Sequence, residues 1–402
     1  MAILLLNRFT KKELDILDWF NDFTEDIFMV TTEDAANEYK GLPELISLPT
    51  LLNNNRVELE IEKLFKRNPF RIIIGLEETD IVRAGVIRDR YNLTGQSEYS
   101  ARAFRDKVLM KTLAQEGGIN VPAFKKIQTP FDIIDFIKEF DYPILIKPID
   151  GMASRGITVI RCEDELEQWL ENGLTNGYMV EKFEDNSDVF HVDGIFINGE
   201  IIFSCASKYI VPLIEFNINN GSGSILLSPE NPINKPLKKF VYQILKTLPT
   251  PNITSFHAEI FYNKETEELK MCEIASRTIG GQAVELIKNS YEIDLDRYIT
   301  RAQSGKLDEL KVEQRIQSAC YFVPPSIGYL EKIPDQPEFE WCVNFQCYGK
   351  HNHYYNGPKK VLDHFIYFLV EGEDDQEIKQ RISIMLKYIE ENTIWRITEN
   401  KN

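Results

Sequence analysis

The stretch "HAEIFYNKETEELKMCEIASRTIGG", residues 257 to 281, holds the residue types best suited to chemistry in this chain. Two apolar runs flank a polar turn, the pattern of a hairpin. With the turn centred on Thr266, Glu259 and Glu273 each lie seven residues from it and stand opposite one another. Like charges so placed repel. Their neighbours Ala258, Ile260, Cys272 and Ile274 argue that the pair is partly buried. Two such carboxylates want a cation between them, and Mg²⁺ takes one or two carboxylates together with substrate phosphates. A wet surface hairpin, or a register slip that parts the pair, is the plainer alternative. Arg277 follows four residues after Glu273 and suits bidentate capture of a carboxylate or phosphate. Gly280 and Gly281 then open a helix, whose start favours an anion. His257 shares the face of Glu259 by the period of two, either supporting the site or resting as a satisfied core histidine.

A second stretch, "PILIKPIDGMASRGITVI" from 143 to 160, sets Lys147 at the end of an apolar run before a loop with Gly151, Ser154 and Gly156. A loop of so little bulk exposes backbone N–H groups and can fold over a polyphosphate, with Lys147 adding a point charge. The plainer alternative is an ordinary hairpin with a solvated lysine. No G-K-[ST] follows, so this is not a Walker loop. Lys107 in "FRDKVLMK" reads as a helix lysine, and Glu181 in "VEKF" as a strand residue or a nucleotide contact.

These groups need elements to hold them. Residues 1 to about 95 alternate "AILLL", "DIFMVT" and "RIIIGL" as strands with "KKELDILDWFNDF" and "VELEIEKLFKRN" as helices. That order predicts a parallel sheet with crossovers, a small Rossmann-like layer without the G-x-G-x-x-G of a dinucleotide site. "YNLTGQSEYS" reads as a linker, and "ARAFRDKVLMKTLAQEGG" as one helix stopped by Gly117-Gly118. Asn198-Gly199 joins two strands in a tight hairpin. Residues 212 to 232 read as a long polar loop, a candidate lid. "QAVELIKNSYEIDLDRYITRAQSG" reads as helical, and "DDQEIKQRISIMLKYIEEN" as a closing helix.

The 402 residues allow two to three domains, and 43% hydrophobic with 27% charged residues is ordinary for a globular protein. A net charge of −17 argues against nonspecific binding to nucleic acid or an anionic membrane. It makes a cationic substrate or partner more plausible. Six scattered cysteines without C-x-x-C, no basic leader and no apolar run of membrane length predict a cytoplasmic protein. "CVNFQCYGKHNH", with Cys342, Cys347, His351 and His353, has zinc-type residues at a spacing that matches no common zinc site.

Taken in order, Lys107 in "RDKVLMK", Lys147 in "ILIKP", the glycine loop 151 to 156, "VEKF", "HAE" and "EIASRTIGG" make a set that resembles the ATP-grasp ligases over about residues 1 to 380. The resemblance implies a mixed α/β and α+β fold. A Rossmann-like N-terminal domain (1–95) would precede an ATP-grasp fold of two α+β subdomains clasping ATP. Residues 96–185 would carry the small subdomains with the glycine loop, and 186–402 the large C-terminal domain with the metal and substrate site. It further implies that Lys107, Lys147, Gly151, Ser154 and Gly156 hold phosphates. Glu181, Lys182 and Phe183 would contact adenine, and Asp188 ribose. Glu259 and Glu273 would hold Mg²⁺ or Mn²⁺, and Arg277 would steady an acyl phosphate, with Gly280, Gly281 and His257 beside the substrate. Many members carry E-x-N where this chain has Ala275, which puts the second metal in question. The "E-I-A-x-R-x-G-G" form is similar to bacterial L-amino-acid ligases, which make dipeptides, often for peptide antibiotics. The expectation is an ADP-forming carboxylate–amine ligase acting on amino acids as small-molecule substrates, with the acidic balance suggesting a basic one such as arginine on one side, without nucleic acid or membrane partners, possible as a homodimer. The alternatives are a ligase loading an amino acid onto a carrier protein, a biotin-carboxylase-like enzyme, and an ATP-binding regulatory module.

Overall fold

The computed structural model describes residues 2–152, 154–173, 177–217, 219–358 and 363–397. The chain opens with β1 (Ala2–Leu6), β2 (Ile27–Thr32), α1 (Glu33–Ala36), β3 (Glu44–Leu48), α2 (Arg56–Arg67), β4 (Phe70–Gly75) and α3 (Ile81–Tyr91). Its four strands form a parallel sheet in the order β3-β2-β1-β4. All five residues of β1 are buried, as a central parallel strand covered on both faces requires.

The helix expected over 11 to 23 is only a 3₁₀ turn at Ile16–Phe20. Its apolar face is buried as the spacing predicts, through Ile16, Trp19 and Phe20. The Tyr39 hydroxyl, however, donates to the carbonyls of Phe9 and Leu14, at 3.0 and 3.3 Å. A helix would offer the Leu14 carbonyl to Asp18, whose N–H turns to Asp15 instead. The expected linker near 91 to 100 is packed. Gln96 is buried, its carbonyl accepts from Arg88, and its amide meets the hydroxyls of Ser100 and Ser276.

Next come α4 (Glu98–Ala103), α5 (Lys107–Glu116), β5 (Phe124–Lys126), α6 (Pro130–Phe140), β6 (Ile144–Pro148), β7 (Thr158–Ile160), α7 (Glu163–Glu171) and β8 (Tyr178–Lys182). One helix was expected where α4 and α5 stand. Asp106 separates them by capping α5, accepting from the N–H groups of Val108 and Leu109 at 2.9 Å each. The strands form an antiparallel sheet in the order β5-β8-β6-β7.

The remainder builds β9 (Ser187–Ile197), β10 (Glu200–Val211), β11 (Ser222–Leu226), α8 (Asn234–Thr247), β12 (Ile253–Asn263), β13 (Leu269–Ala275), α9 (Val284–Tyr291), α10 (Leu295–Gln303), β14 (Gln317–Val323), β15 (Ile327–Lys332), β16 (Cys342–Cys347), β17 (Tyr354–Asn356), β18 (Ile366–Gly372), α11 (Asp375–Asn392) and β19 (Ile394–Arg396). Eight strands pair in the order β13-β12-β9-β10-β11-β14-β18-β16, beside a small sheet β17-β15-β19. Asn198 and Gly199 both take positive φ (50° and 93°), as the tight β9–β10 hairpin demands. On one face Val192, Phe196, Phe256, Ala258 and Ile260 pack with Leu237, Val241 and Ile244 of α8. On the other, Ile195, Ile197, Phe203 and Cys205 pack under Leu286, Ile287 and Ile299 of α9 and α10.

The polar stretch 212 to 232, expected as a lid loop, contributes β11, a fully buried strand between β10 and β14. Its glycines serve close packing. A Cβ on Gly223 would lie 2.2 Å from the Cys320 carbonyl oxygen and 2.9 Å from the Tyr321 ring. The helix expected from 282 is also divided. Glu292 takes φ 56°, and Asp294 caps a new helix by accepting from Arg297 N–H at 3.1 Å. No helix among the described residues is long and apolar enough to cross a membrane.

Candidate active site

Glu259 and Glu273 face each other across β12 and β13. The register shifts beside them: Ile260 pairs with Met271, which leaves Cys272 without a partner. A bulge of this kind re-aims side chains along a strand. The Tyr209 hydroxyl donates to Glu259 Oε1 at 2.7 Å, and His257 Nε2 lies 3.7 Å from the same oxygen. Lys107 Nζ is 3.1 Å from Glu273 Oε2. Burial pushes the Glu273 carboxyl up, but Lys107 and Lys147 outweigh it and bring it down to about 2. Burial likewise opposes ionisation of Glu259, but the nearby His257 imidazolium and the Tyr209 hydroxyl outweigh it and hold its carboxyl below the ordinary range.

A buried chain of polar groups stands behind Glu259. On β9, His191 pairs with Glu259 and Asp193 with His257, so the period of two sets all four on one face. Asp193 Oδ1 accepts from His257 Nδ1 at 2.8 Å and Oδ2 from His191 Nδ1 at 2.6 Å, while His191 Nε2 meets Ser224 Oγ at 2.9 Å. Among the described residues His191, Asp193 and His257 also form a group with metal-ligand atoms within 4.8 Å of one another. Burial lowers the His257 imidazolium, but the Asp193 carboxylate more than compensates and lifts it to about 9.

The glycine loop is anchored at its start. Arg105 Nη2 donates to the Asp150 carbonyl at 2.6 Å, and Lys107 Nζ to the Gly151 carbonyl at 2.7 Å. Ser154 and Gly156 take positive φ (56° and 71°), and a Cβ on Gly156 would lie 3.0 Å from Pro148 Cγ. Lys147 Nζ is 2.8 Å from Glu181 Oε2, and Lys111 Nζ is 3.4 Å from Oε1. Burial works against the Lys147 charge, yet Glu181 holds its ammonium above the ordinary range. The Glu181 carboxylate is therefore turned onto two lysines. Lys182 donates to the carbonyls of Asp141 and Tyr142, at 3.2 and 3.1 Å. The Phe183 N–H donates to the Pro143 carbonyl. Asp188 pairs with Lys208 at 2.7 Å and Lys264 at 2.9 Å. Each of these last three has partners of its own, outside the lysine and carboxylate cluster.

Arg277 reaches back to the N-terminal layer. Its Nε and Nη2 donate to Glu78 Oε2 at 2.8 and 2.6 Å, and Nη1 to the Thr278 carbonyl at 2.7 Å. Glu78 also accepts from Arg105. A Cβ on Gly280 would lie 3.6 Å from Arg277 Nη1, and Gly281 takes φ 63° before α9. Asp296 at the start of α10 accepts from the Thr278 hydroxyl, and burial pushes its carboxyl up to about 6. Sequence reasoning missed Glu78, Arg105, Lys111, Asp193 and Tyr209. Only Lys111 carried a signal, four residues after Lys107 on one helix face.

Two opposed carboxylates, two buried lysines, an arginine and a positive-φ loop are groups that could hold phosphoryl oxygens and a hard cation. Residues 104–211 match the RimK-like ATP-grasp domain, and the chain has the ATP-grasp fold. Within that class it resembles the carboxylate–amine ligases. It is 29% identical over 246 residues to the L-arginine-specific L-amino acid ligase of Bacillus subtilis, covering 58% of this chain and 57% of the relative. It is 20% identical over 218 residues to the C-terminal section of the carbamoyl phosphate synthase large chain of Aquifex aeolicus, covering 53% and 40%. The chain thus spans about half the length of the curated relatives it matches. The L-amino acid ligase from Bacillus licheniformis superposes with a TM-score of 0.76 over 98% of this chain and 99% of that one, at 15% identity. The biotin carboxylase domain of the Hydrogenobacter thermophilus 2-oxoglutarate carboxylase gives 0.70 over 99% and 90%, also at 15%.

Proposed function

We propose that this protein is an ADP-forming carboxylate–amine ligase that joins two L-amino acids into a dipeptide, one of them basic. The observation that carries the reading is the opposed, partly buried pair Glu259 and Glu273 beside Lys107, with Arg277 four residues on. The donor set fits Mg²⁺, a hard ion that accepts carboxylate and phosphate oxygens. Glu259 and Glu273 would hold it, and when bound it supplies charge neutralisation. Lys107, Lys147 and the loop of Gly151, Ser154 and Gly156 would bind the ATP phosphates. Glu181, Lys182, Phe183 and Asp188 would contact the nucleoside. In this reading residues 1–95, 96–185 and 186–402 are three functional units. The protein works in the cytoplasm, where its free thiols stay reduced. A homodimer and a role in peptide antibiotic synthesis belong to the same proposal.

The γ-phosphoryl group passes to an oxygen of the substrate carboxylate, breaking the β–γ bridge and releasing ADP. The amine of the second amino acid then attacks the carbonyl carbon. A C–N bond forms, the C–O bond to phosphate breaks, and the nitrogen loses a proton. Lys107 and Lys147 offset charge as the phosphoryl group moves, and Arg277 stabilises the oxyanion. Gly280, Gly281 and His257 bound the substrate side. The net charge of −17 and the arginine specificity named for the Bacillus subtilis relative support a basic substrate. The test is ATP turnover with Glu273→Gln, a folded variant expected to lose at least about 100-fold in rate; a rate near wild type would remove Glu273 from the site.

A further inference from the structure

Lys111 is assigned neither a phosphate nor the metal in that reading, yet it is 0% exposed. Lysine is almost never so deeply buried without partners. It lies one turn beyond Lys107 on the same face of α5. Its Nζ is 3.4 Å from Glu181 Oε1 and donates to the Met271 carbonyl at 3.2 Å. Glu181 already has Lys147 at 2.8 Å, so neutralising that carboxylate does not account for a second lysine.

Met271 is where the hairpin leaves regular pairing, next to the unpaired Cys272 on the edge strand β13. Its N–H donates to the Asn120 carbonyl at 2.8 Å. Both backbone groups of Met271 are thus taken from outside the hairpin. Two residues on, the Ile274 N–H sits 3.3 Å from Met110 Sδ. One face of α5, through Lys107, Met110 and Lys111, therefore touches Glu273, Ile274 and Met271 in turn. A strand with one residue unpaired has a competing regular register, and a slip by one residue turns each side chain to the opposite face. In that register Glu273 would leave Glu259.

We infer that Lys111 is a positioning residue: through the Met271 carbonyl it fixes the bulge that sets Glu273 against Glu259, and through Glu181 it fixes Lys147. The inference rests on the nucleotide reading above. It predicts that one fully buried side chain, which touches neither phosphate nor metal, governs both.

The test is calorimetric binding of a non-hydrolysable ATP analogue over a Mg²⁺ titration, with circular dichroism and thermal melting, for wild type, Lys111→Met, Lys111→Gln and Lys111→Arg. Lys111→Met should keep its secondary structure, bind the analogue at least tenfold more weakly and need at least tenfold more Mg²⁺ for half-saturation. Lys111→Arg, which keeps charge and donors, should recover most of both losses. A lower melting temperature with both constants within twofold of wild type would overturn the inference, because a purely structural lysine behaves that way. If Lys111→Met does not fold, Lys111→Gln is judged by the same two constants. A wild type that binds no analogue overturns the nucleotide reading itself, an outcome separate from either variant result.

Discussion

Replacing Glu78 by glutamine keeps the shape of the side chain and removes its charge. Glu78 bridges two arginines, Arg105 and Arg277, with side-chain exposures of 10% and 21% against 11% for its own. It accepts both Nε and Nη2 of Arg277 and a third bond from Arg105. Removing one partner of a buried ion pair costs ~3–5 kcal/mol, chiefly because the surviving charge is left without its counterion. The amide oxygen retains one acceptor position, so the lower end, ~3 kcal/mol, is the expectation for Glu78→Gln. With a urea slope of ~3 kcal/mol per molar, the unfolding midpoint should fall by ~1 M. Arg277→Gln made alone and together with Glu78→Gln isolates the pair. The double variant should be less unstable than the sum of the singles by ~1–3 kcal/mol. Additivity within ~0.5 kcal/mol would refute the claim that Glu78 and Arg277 act as a unit joining the N-terminal layer to the carboxylate hairpin.

Tyr209→Phe removes only the hydroxyl that holds Glu259, so it should weaken Mg²⁺ affinity ~10–100-fold with little change in melting; an unchanged Mg²⁺ requirement would show that the bond is idle. Asp296 has its carboxyl raised by burial from 3.8 to about 6, so its stabilising form is the protonated one. That contribution is complete below about pH 4 and lost as pH rises through 6, and the stability of wild type relative to Asp296→Asn should fall by ~2–3 kcal/mol over this window. A gap that does not vary with pH would place the carboxyl in water. Gly223→Ala sets a Cβ 2.2 Å from the Cys320 carbonyl oxygen and should cost at least ~1–3 kcal/mol, read as a lower melting temperature; a neutral outcome would mean that β11 is not packed between β10 and β14.

The parts of this site that could be read from sequence are those where local pattern and chemistry coincide. The Glu259–Glu273 opposition followed from counting outward from Thr266; next to the turn the strands pair one residue out of that register, Ile260 with Met271, and the bulge at Cys272 brings the two carboxylates opposite each other. The glycine loop followed from composition, whereas the positive φ of Ser154 did not. Glu78 left no trace, because its meaning depends on Arg277, 199 residues away, and on how two layers meet. β11 was hidden for a different reason. Its Gly and Ser residues look like a loop, but they are small because Cys320 and Tyr321 press against them. The 3₁₀ turn at Ile16–Phe20 kept the apolar spacing of a helix while a tertiary bond from Tyr39 took the carbonyl a helix needs. In each case the side-chain pattern told which face is buried, and contacts distant in sequence decided the backbone.

The central claim is tested most directly by phosphate release from Mg·ATP with single amino acids and all pairs, the products identified by mass. The account predicts release that depends on two amino acids, one of them basic, and a product lighter than their sum by one water. Turnover independent of amino acids, driven by bicarbonate or another acid, or tight ATP binding without release under any pairing, would contradict it.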